Sequence, residues 1–385
     1  MDAVSDSSAI RDFKLLVLPG DGIGPEIVNE TLRIVSWFSD YLALPIVIEE
    51  AAVGGASIDE SGEPISDAVL EKAQEADAVL FGAVGGPKWD KLPRATRPEM
   101  GILKLRKELD LFANLRPAIN YPELIASSSL RPEVVDSIDI MIVRESTAGV
   151  YFGEPRGITT DESGMRRAVD TQVYDESEIV RVCRAAFEIA LRRDRRLCSV
   201  DKANVMETGV LWRTIATEIG RNYPDVALTH MYADNCAMQL LREPGQFDVI
   251  VTDNLFGDIL SDEAAALSGS LGLLPSATLH LSDSQKPSSA LYEPIHGSAP
   301  DIAGQGIANP LGSILSFGMC LSYSMIAPDA ADLLTQAVRC VLANGMRTPD
   351  IAAAGENSVR GSAMTDAIIE VLEDKATGMQ RMMGT

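Results

Sequence analysis

Short apolar runs alternate with longer stretches of helical periodicity along almost the whole chain, and no other feature limits the fold as much. A strand, then a helix, then a strand again is the signature of a largely parallel sheet with helical layers against it. The runs at 45–48, 78–81, 138–143, 197–200, 227–230 and 249–252 read as buried strands, and a further run at 15–18 ends at Pro19-Gly20. Between them, 176–193 and 208–221 have helical spacing, and Pro25-Glu26 is a sound helix start. The stretch 150–173 departs from this pattern. Gly153, Pro155, Gly157 and Gly164 separate short β-branched runs there, which predicts a hairpin or arm. The fold class is therefore α/β. With 385 residues the chain has room for two or three domains, yet no Gly/Ser- or Pro-rich linker marks a boundary.

Composition excludes several functions. Hydrophobic residues make up 46% and charged ones 23%, which is ordinary globular usage and argues against disorder. The formal charge of −23 repels a phosphate backbone, so nucleic acid is not an expected partner. A few local arginines can still override that field for a small anion. There is no apolar run long enough for a membrane span and no secretory signal, and about the first dozen residues read as a loose tail. Cys183, Cys198, Cys236, Cys320 and Cys340 are widely spaced with no CxxC pair. That argues against a disulfide framework and a zinc site, and fits a reducing cytoplasm.

Several stretches hold candidate chemistry. The loop GDGIGPE (20–26) lies between a strand and a helix, where a dinucleotide fingerprint would sit. Position 25 is proline instead of the third glycine, and proline also removes an amide that would face a phosphate, so a Rossmann site is not expected. A second loop, 293–304, is richer, with His296, Gly297, Ser298, Ala299 and Asp301 close together. A carboxylate there would accept both ribose hydroxyls of NAD and repel a 2′-phosphate, although the same composition also suits a plain turn-rich connector. Asp258 and Asp262 are four apart and share a helical face. Like charges at that spacing destabilise a helix by about 0.2–0.5 kcal/mol unless something compensates. A hard cation such as Mg²⁺ or Mn²⁺ would do so; a solvated acidic face is the plainer alternative. Phe256, Ile259 and Leu260 around the pair predict a mostly buried helix. Arg106, Arg116 and Arg144 each adjoin apolar runs and suit bidentate carboxylate binding, but their spacing does not force them together. Tyr151 and Lys202 are the candidate proton-transfer groups.

Seven stretches coincide with a known family. GDGIGPE (20–26), GAVGGPKWD (82–90), LRKELDLFANLRP (105–117), VRESTAGVYFGEPRG (143–157), DKANVMETGVLWR (201–213), DNLFGDILSDEAA (253–265) and EPIHGSAPDIAGQGIANP (293–310) resemble, in order and separation, the isocitrate/isopropylmalate family of β-decarboxylating 2-hydroxyacid dehydrogenases. The resemblance spans about residues 14–375 and is greatest to the isopropylmalate branch, which serves leucine synthesis. It implies a two-domain, non-Rossmann fold with a large mixed, mostly parallel sheet. Residues 1–111 and 269–385 would form a cofactor-binding domain, and 112–268 a dimerisation and metal-binding domain. It further implies a homodimer with shared active sites, NAD and Mg²⁺ or Mn²⁺ as cofactors, and a small dicarboxylate substrate.

Residue by residue, the resemblance makes Arg106, Arg116 and Arg144 the malate-carboxylate binders and Tyr151 the donor that protonates the enol carbon. Lys202 would help take the hydroxyl proton. Asp258 and Asp262 would be metal ligands, with Asp234 the third, and Lys202 and Asp234 would reach across the dimer. His296, Gly297, Ser298, Ala299, Asp301 and Asn309 would hold the cofactor, with Asp301 favouring NAD over NADP. Ile102 and Leu103 would form an apolar wall that suits an isopropyl group and leaves a third carboxylate unpaired. One departure stands out: Ser146 and Ala148 follow neither the isopropylmalate nor the isocitrate pattern. Ser146 therefore keeps open another C3 substituent, as in tartrate, homoisocitrate or an alkylmalate. A binding-only regulator is the contrasting reading, and it predicts losses at Tyr151, Lys202 or the aspartates; none is lost.

Overall fold

The computed structural model describes residues 12–127, 134, 138–267, 270–281 and 287–383; the N-terminal tail lies outside them up to residue 11. The described strands are β1 (Phe13–Gly20), β2 (Ile46–Glu50), β3 (Ala78–Ala83), β4 (Ala113–Ile119), β5 (Asp139–Glu145), β6 (Gly157–Thr160), β7 (Arg166–Val169), β8 (Arg196–Asp201), β9 (Ala227–Tyr232), β10 (Val249–Thr252), β11 (Pro275–His280) and β12 (Ser289–Pro294). Ten of them share one sheet in the order β2-β1-β3-β12-β11-β4-β5-β10-β8-β9. Both flanks are parallel, as the strand–helix alternation requires. The centre is not: β12–β11, β11–β4 and β4–β5 are antiparallel. This is the expected α/β fold with a large mixed, mostly parallel sheet. The hairpin β6–β7 is a separate two-stranded ribbon within 150–173, as the glycine spacing predicts.

Alternation along the strands sorts the core. One face of the sheet carries Leu15, Val17, Leu115, Val143, Ala277 and Tyr292 into a large apolar cluster. The helices Gly24–Tyr41, Glu176–Leu191, Glu207–Gly220, Leu311–Tyr323 and Pro328–Ala343 cover it. In the first of these, Ile27, Val28, Ile34, Val35 and Phe38 are buried at helical spacing. Burying each such side chain contributes about 1.5–3 kcal/mol. Helix Glu176–Leu191 starts with a capping box between Asp175 and Glu178.

The opposite face carries two separate apolar clusters. One packs under Glu99–Glu108 and Asp67–Glu75, the other under Ala233–Arg242 and Asn254–Leu267. Between them, Asn114 and Arg116 of β4 and Thr278 of β11 put polar side chains on the sheet, and Asn114 Nδ2 donates to Thr278 Oγ1 at 2.9 Å. This polar gap holds the candidate site.

One expectation changes. The runs at 45–48 and 227–230 are strands but are not buried. They are β2 and β9, the two edges of the sheet, and both are largely exposed. Charged Glu49 and Glu50 sit on the β2 edge, which discourages further strand pairing. The helix Asn254–Leu267 is mostly buried, as expected, through Leu260, Ala264 and Leu267, but Ile259 is 57% exposed and Asp262 faces solvent beside it. Among the described residues no disulfide joins the five cysteines, four of which are buried. Among the described residues no helix is long and apolar enough to cross a membrane.

Candidate active site

Four elements converge at the polar gap: β4 brings Arg116, β5 brings Arg144, helix Glu99–Glu108 brings Arg106, and helix Asn254–Leu267 brings Asp258 and Asp262. Arg144 lies flat against that helix because position 257 is glycine. A Cβ there would sit 2.6 Å from Arg144 Cγ. Arg144 donates through Nε and Nη2 to Asn254 Oδ1, at 3.1 and 2.7 Å, and through Nη1 to Asp258 Oδ1. Arg116 Nη1 lies 3.4 Å from Asp258 and 3.5 Å from Asp262, and donates to Ser261 Oγ at 2.7 Å. Arg106 Nη2 pairs with Glu293 Oε1 at 2.6 Å, while its Nε is buried with no partner. The three arginines that spacing alone left apart thus share one site.

Electrostatics follow from this crowding. Burial and the neighbouring guanidinium of Arg144 lower Arg116 to about 10. Burial resists the charge on Asp258, but Arg144, Arg116 and the Tyr151 hydroxyl outweigh it and hold that carboxyl below its usual range. Burial raises Asp262 despite Arg116. Tyr151 donates its hydroxyl to Asp258 Oδ2 at 2.7 Å. Burial, then that bond, push the phenol up to about 12, so it stays protonated at neutral pH.

Lys202 and Asp234 form a second group. They pair with each other beside Tyr232, and Asp201 next to the lysine is fixed by Arg213 through two 2.9 Å bonds. Among the described residues, no three His, Cys, Asp or Glu side chains gather in one chain as a metal cage. Asp258 and Asp262 supply two hard oxygen donors on one face, the chemistry Mg²⁺ or Mn²⁺ prefers. Asp234 joins them only if a second copy supplies it.

The glycine loop at 20–26 is structural. Ile23 N donates to Ser298 O at 2.8 Å. Gly22 has φ +59, and a Cβ on it would meet Ser298 O at 2.0 Å. The loop therefore braces the 296–301 segment. Asp21 accepts from the amides of Gly55, Ala56 and Gly85, and Glu26 accepts from those of Gly306 and Ala308. Along 296–301, Gly297 has open space around it, Ala299 is half-buried, and Asp301 is exposed. His296 Nε2 is shielded with no partner, and burial lowers the imidazole's pKa. An unpartnered ring nitrogen beside open backbone fits a polar cofactor. Asn309 is already committed to Asp350 and Leu311 N.

A cavity of about 850 Å³ reaches Tyr151 from the side of helix Glu99–Glu108. Met100 and Leu103 give it an apolar side, with Ile65 also in the lining and Phe152 beside the tyrosine, while Arg94, Lys104, Lys107 and Arg156 line the rest. Ile102 instead packs partly buried against the core cluster under its own helix. Met100 belongs to the same 99–103 segment from which the sequence singles out Ile102 and Leu103, and it takes the place expected of Ile102. Ser146 does not line the cavity. It is fully buried, its hydroxyl donates to Leu111 O at 2.6 Å and its amide to Phe112 O. Ser146 therefore gives no support to a different C3 substituent. Ser146→Ala should cost about 1 kcal/mol in urea unfolding and leave substrate preference unchanged; a shifted preference would put the side chain back in the pocket.

Comparison with known proteins agrees with this geometry. The sequence profile described as isocitrate/isopropylmalate dehydrogenase matches residues 14–368. The chain is 57% identical over 362 residues to 3-isopropylmalate dehydrogenase of Hahella chejuensis, covering 94% of this chain and 99% of that one. It is 57% identical over 365 residues to the enzyme of the same name from Gluconobacter oxydans, with 94% and 99% covered. Among solved structures, isocitrate dehydrogenase from Methylococcus capsulatus superposes with a TM-score of 0.82 at 33% identity, covering 94% and 99% of the two chains. A β-decarboxylating dehydrogenase from Thermococcus kodakarensis gives 0.73 at 35% identity, covering 94% and 96%.

Proposed function

Because this chain belongs to the isocitrate/isopropylmalate dehydrogenase family, we propose that it oxidises and decarboxylates (2R,3S)-3-isopropylmalate to 4-methyl-2-oxopentanoate and CO₂ with NAD, as a cytoplasmic step of leucine synthesis. The observation that carries the reading is Tyr151. Its protonated hydroxyl meets Asp258 among three clustered arginines, at the end of a cavity walled on one side by Met100 and Leu103.

Arg106, Arg116 and Arg144 orient the two malate carboxylates. Lys202 takes the C2 hydroxyl proton, and Tyr151 returns a proton to C3 after the carboxylate has left. Asp258 and Asp262 of one chain, with Asp234 of a second, would hold Mg²⁺ or Mn²⁺, and His296 to Asp301 would hold NAD; bound, these supply Lewis acidity and a hydride acceptor. The active unit is then a homodimer, and residues 1–111 with 269–385 face 112–268 across the cleft.

Purified protein with NAD and Mg²⁺ or Mn²⁺ is offered a panel of 3-substituted malates while NADH formation is followed. Isopropylmalate should lead isocitrate in kcat/KM by about 10-fold or more, because Met100 and Leu103 themselves offer a third carboxylate no partner, whereas Arg94, Lys104, Lys107 and Arg156 elsewhere in the cavity limit the margin. Equal or better use of isocitrate overturns the assignment.

A further inference from the structure

Tyr151 depends on a ring of hydrogen bonds that the chemistry above does not use. Asp253 is buried at the start of helix Asn254–Leu267. Its Oδ1 accepts from Phe256 N at 2.8 Å, and its Oδ2 accepts from Gln172 Nε2 at 2.8 Å. Gln172 Oε1 in turn accepts from Val150 N at 2.9 Å. Val150 belongs to the short turn Gly149–Tyr151. Tyr151 closes the ring through its bond to Asp258, one turn along the helix that Asp253 caps. On the outer side Arg156 Nη1 donates to Tyr151 O and Nη2 to Asp170 at 3.0 Å. The turn is held through its N–H and its C=O by the two segments that flank the arm's strands, Arg156 just before β6 and Gln172 just after β7.

We infer that Gln172 and Asp253 are positioning residues for Tyr151: one carboxylate both caps the helix carrying Asp258 and, through Gln172, sets the turn that presents the phenol to it. This rests on the reading of Tyr151 as proton donor. The donor–acceptor sense of the ring is fixed. Val150 N–H and Phe256 N–H only donate, so Asp253 must accept twice and position 172 must accept at one end and donate at the other. Burial pushes Asp253 up to about 6, in keeping with its dry setting.

The fixed sense supplies the test. At a pH high enough to ionise both carboxylates, Gln172→Glu faces Asp253 with a second acceptor, and Asp253→Asn turns an NH₂ onto a donor; each single change then breaks the middle bond. Together they reverse the sense of the middle bond and restore all three, with the same net charge. The readouts are hydrogen exchange at the Val150 amide in ligand-free protein, and kcat with KM. Gln172→Glu should lose about 10-fold or more of the protection at Val150. It should lose about 10–100-fold in kcat with little change in KM. The double variant should recover both, and in a Tyr151→Phe background Gln172→Glu should cost no further kcat. If the glutamate variant does not fold, Gln172→Met removes both bonds made by position 172, to Val150 N and to Asp253, without adding charge. A folded variant with wild-type exchange at Val150, or a double variant no better than its singles, overturns the inference. If wild-type protein fails to use isopropylmalate while exchange follows this pattern, the ring stands and the substrate assignment falls.

Discussion

Asp258→Asn is expected to lower kcat/KM by at least about 10³-fold, roughly 4 kcal/mol of transition-state stabilisation. Asp258 is shared by Arg144, Arg116 and the Tyr151 hydroxyl, so the amide loses a hard oxygen ligand and the charge that aligns three groups at once. A stability loss accompanies it. Arg144 is only 2% exposed, and without an anion its guanidinium is buried with Asn254 alone. Losing one partner of a fully buried pair costs about 3–5 kcal/mol, but Asp258 is partly solvated, so about 1–3 kcal/mol is expected. The sign with pH follows from the depressed folded pKa. The aspartate's contribution is present above its unfolded value near about 4 and fades as pH falls through the lower folded value. Urea unfolding should show the two proteins differing at pH 7 and converging below about pH 4. Near-normal turnover with saturating Mg²⁺ would remove Asp258 from the chemistry.

Lys202→Ala is expected to be as inactive, by about 10³-fold or more, yet as stable as the wild type, since its pairing with exposed Asp234 is screened by solvent. Within one chain Lys202 pairs with Asp234, while Tyr151 and Asp258 stand together in a different cluster. If two copies complete each other's sites, the two inactive variants should rescue one another. A heterodimer of Lys202→Ala with Asp258→Asn has one site with both defects and one with neither. Random exchange of subunits should then return about a quarter of wild-type activity. Tag-purified heterodimers without activity would place the lysine's work inside its own chain.

Much of the sheet was legible because its flanks obey a simple rule: an apolar run, a turn, then a helix. The centre was not. In β4 and β11 the side facing the polar gap carries Asn114, Arg116 and Thr278, which interrupt the apolar runs and hide the strands. The opposite error came at the rims. Val47 and Ile48 look like core residues, and only the strand order reveals them as an exposed edge, while Leu228 and Met231 on the other edge still pack partly against the core. At the site, residue types pointed to Arg116, Arg144, Tyr151 and Asp258, and their convergence became visible only in three dimensions. Glu293, Asn254 and Gln172 went unassigned, because a hydrogen bond between distant segments leaves no periodic trace. Ser146 drew attention through its unusual identity, whereas its hydroxyl merely satisfies a backbone carbonyl.

The antiparallel centre also shapes how the chain is made. β3 and β4 lie close in sequence, yet β12 and β11 separate them in the sheet, and the partner residues come about 160–210 positions later. During synthesis, the inward edges of both halves wait unpaired while the ribosome completes that long interval. A nascent chain of this design has two sticky seams until about three quarters of it has emerged, and slow translation or truncation before residue 294 leaves them open to aggregation.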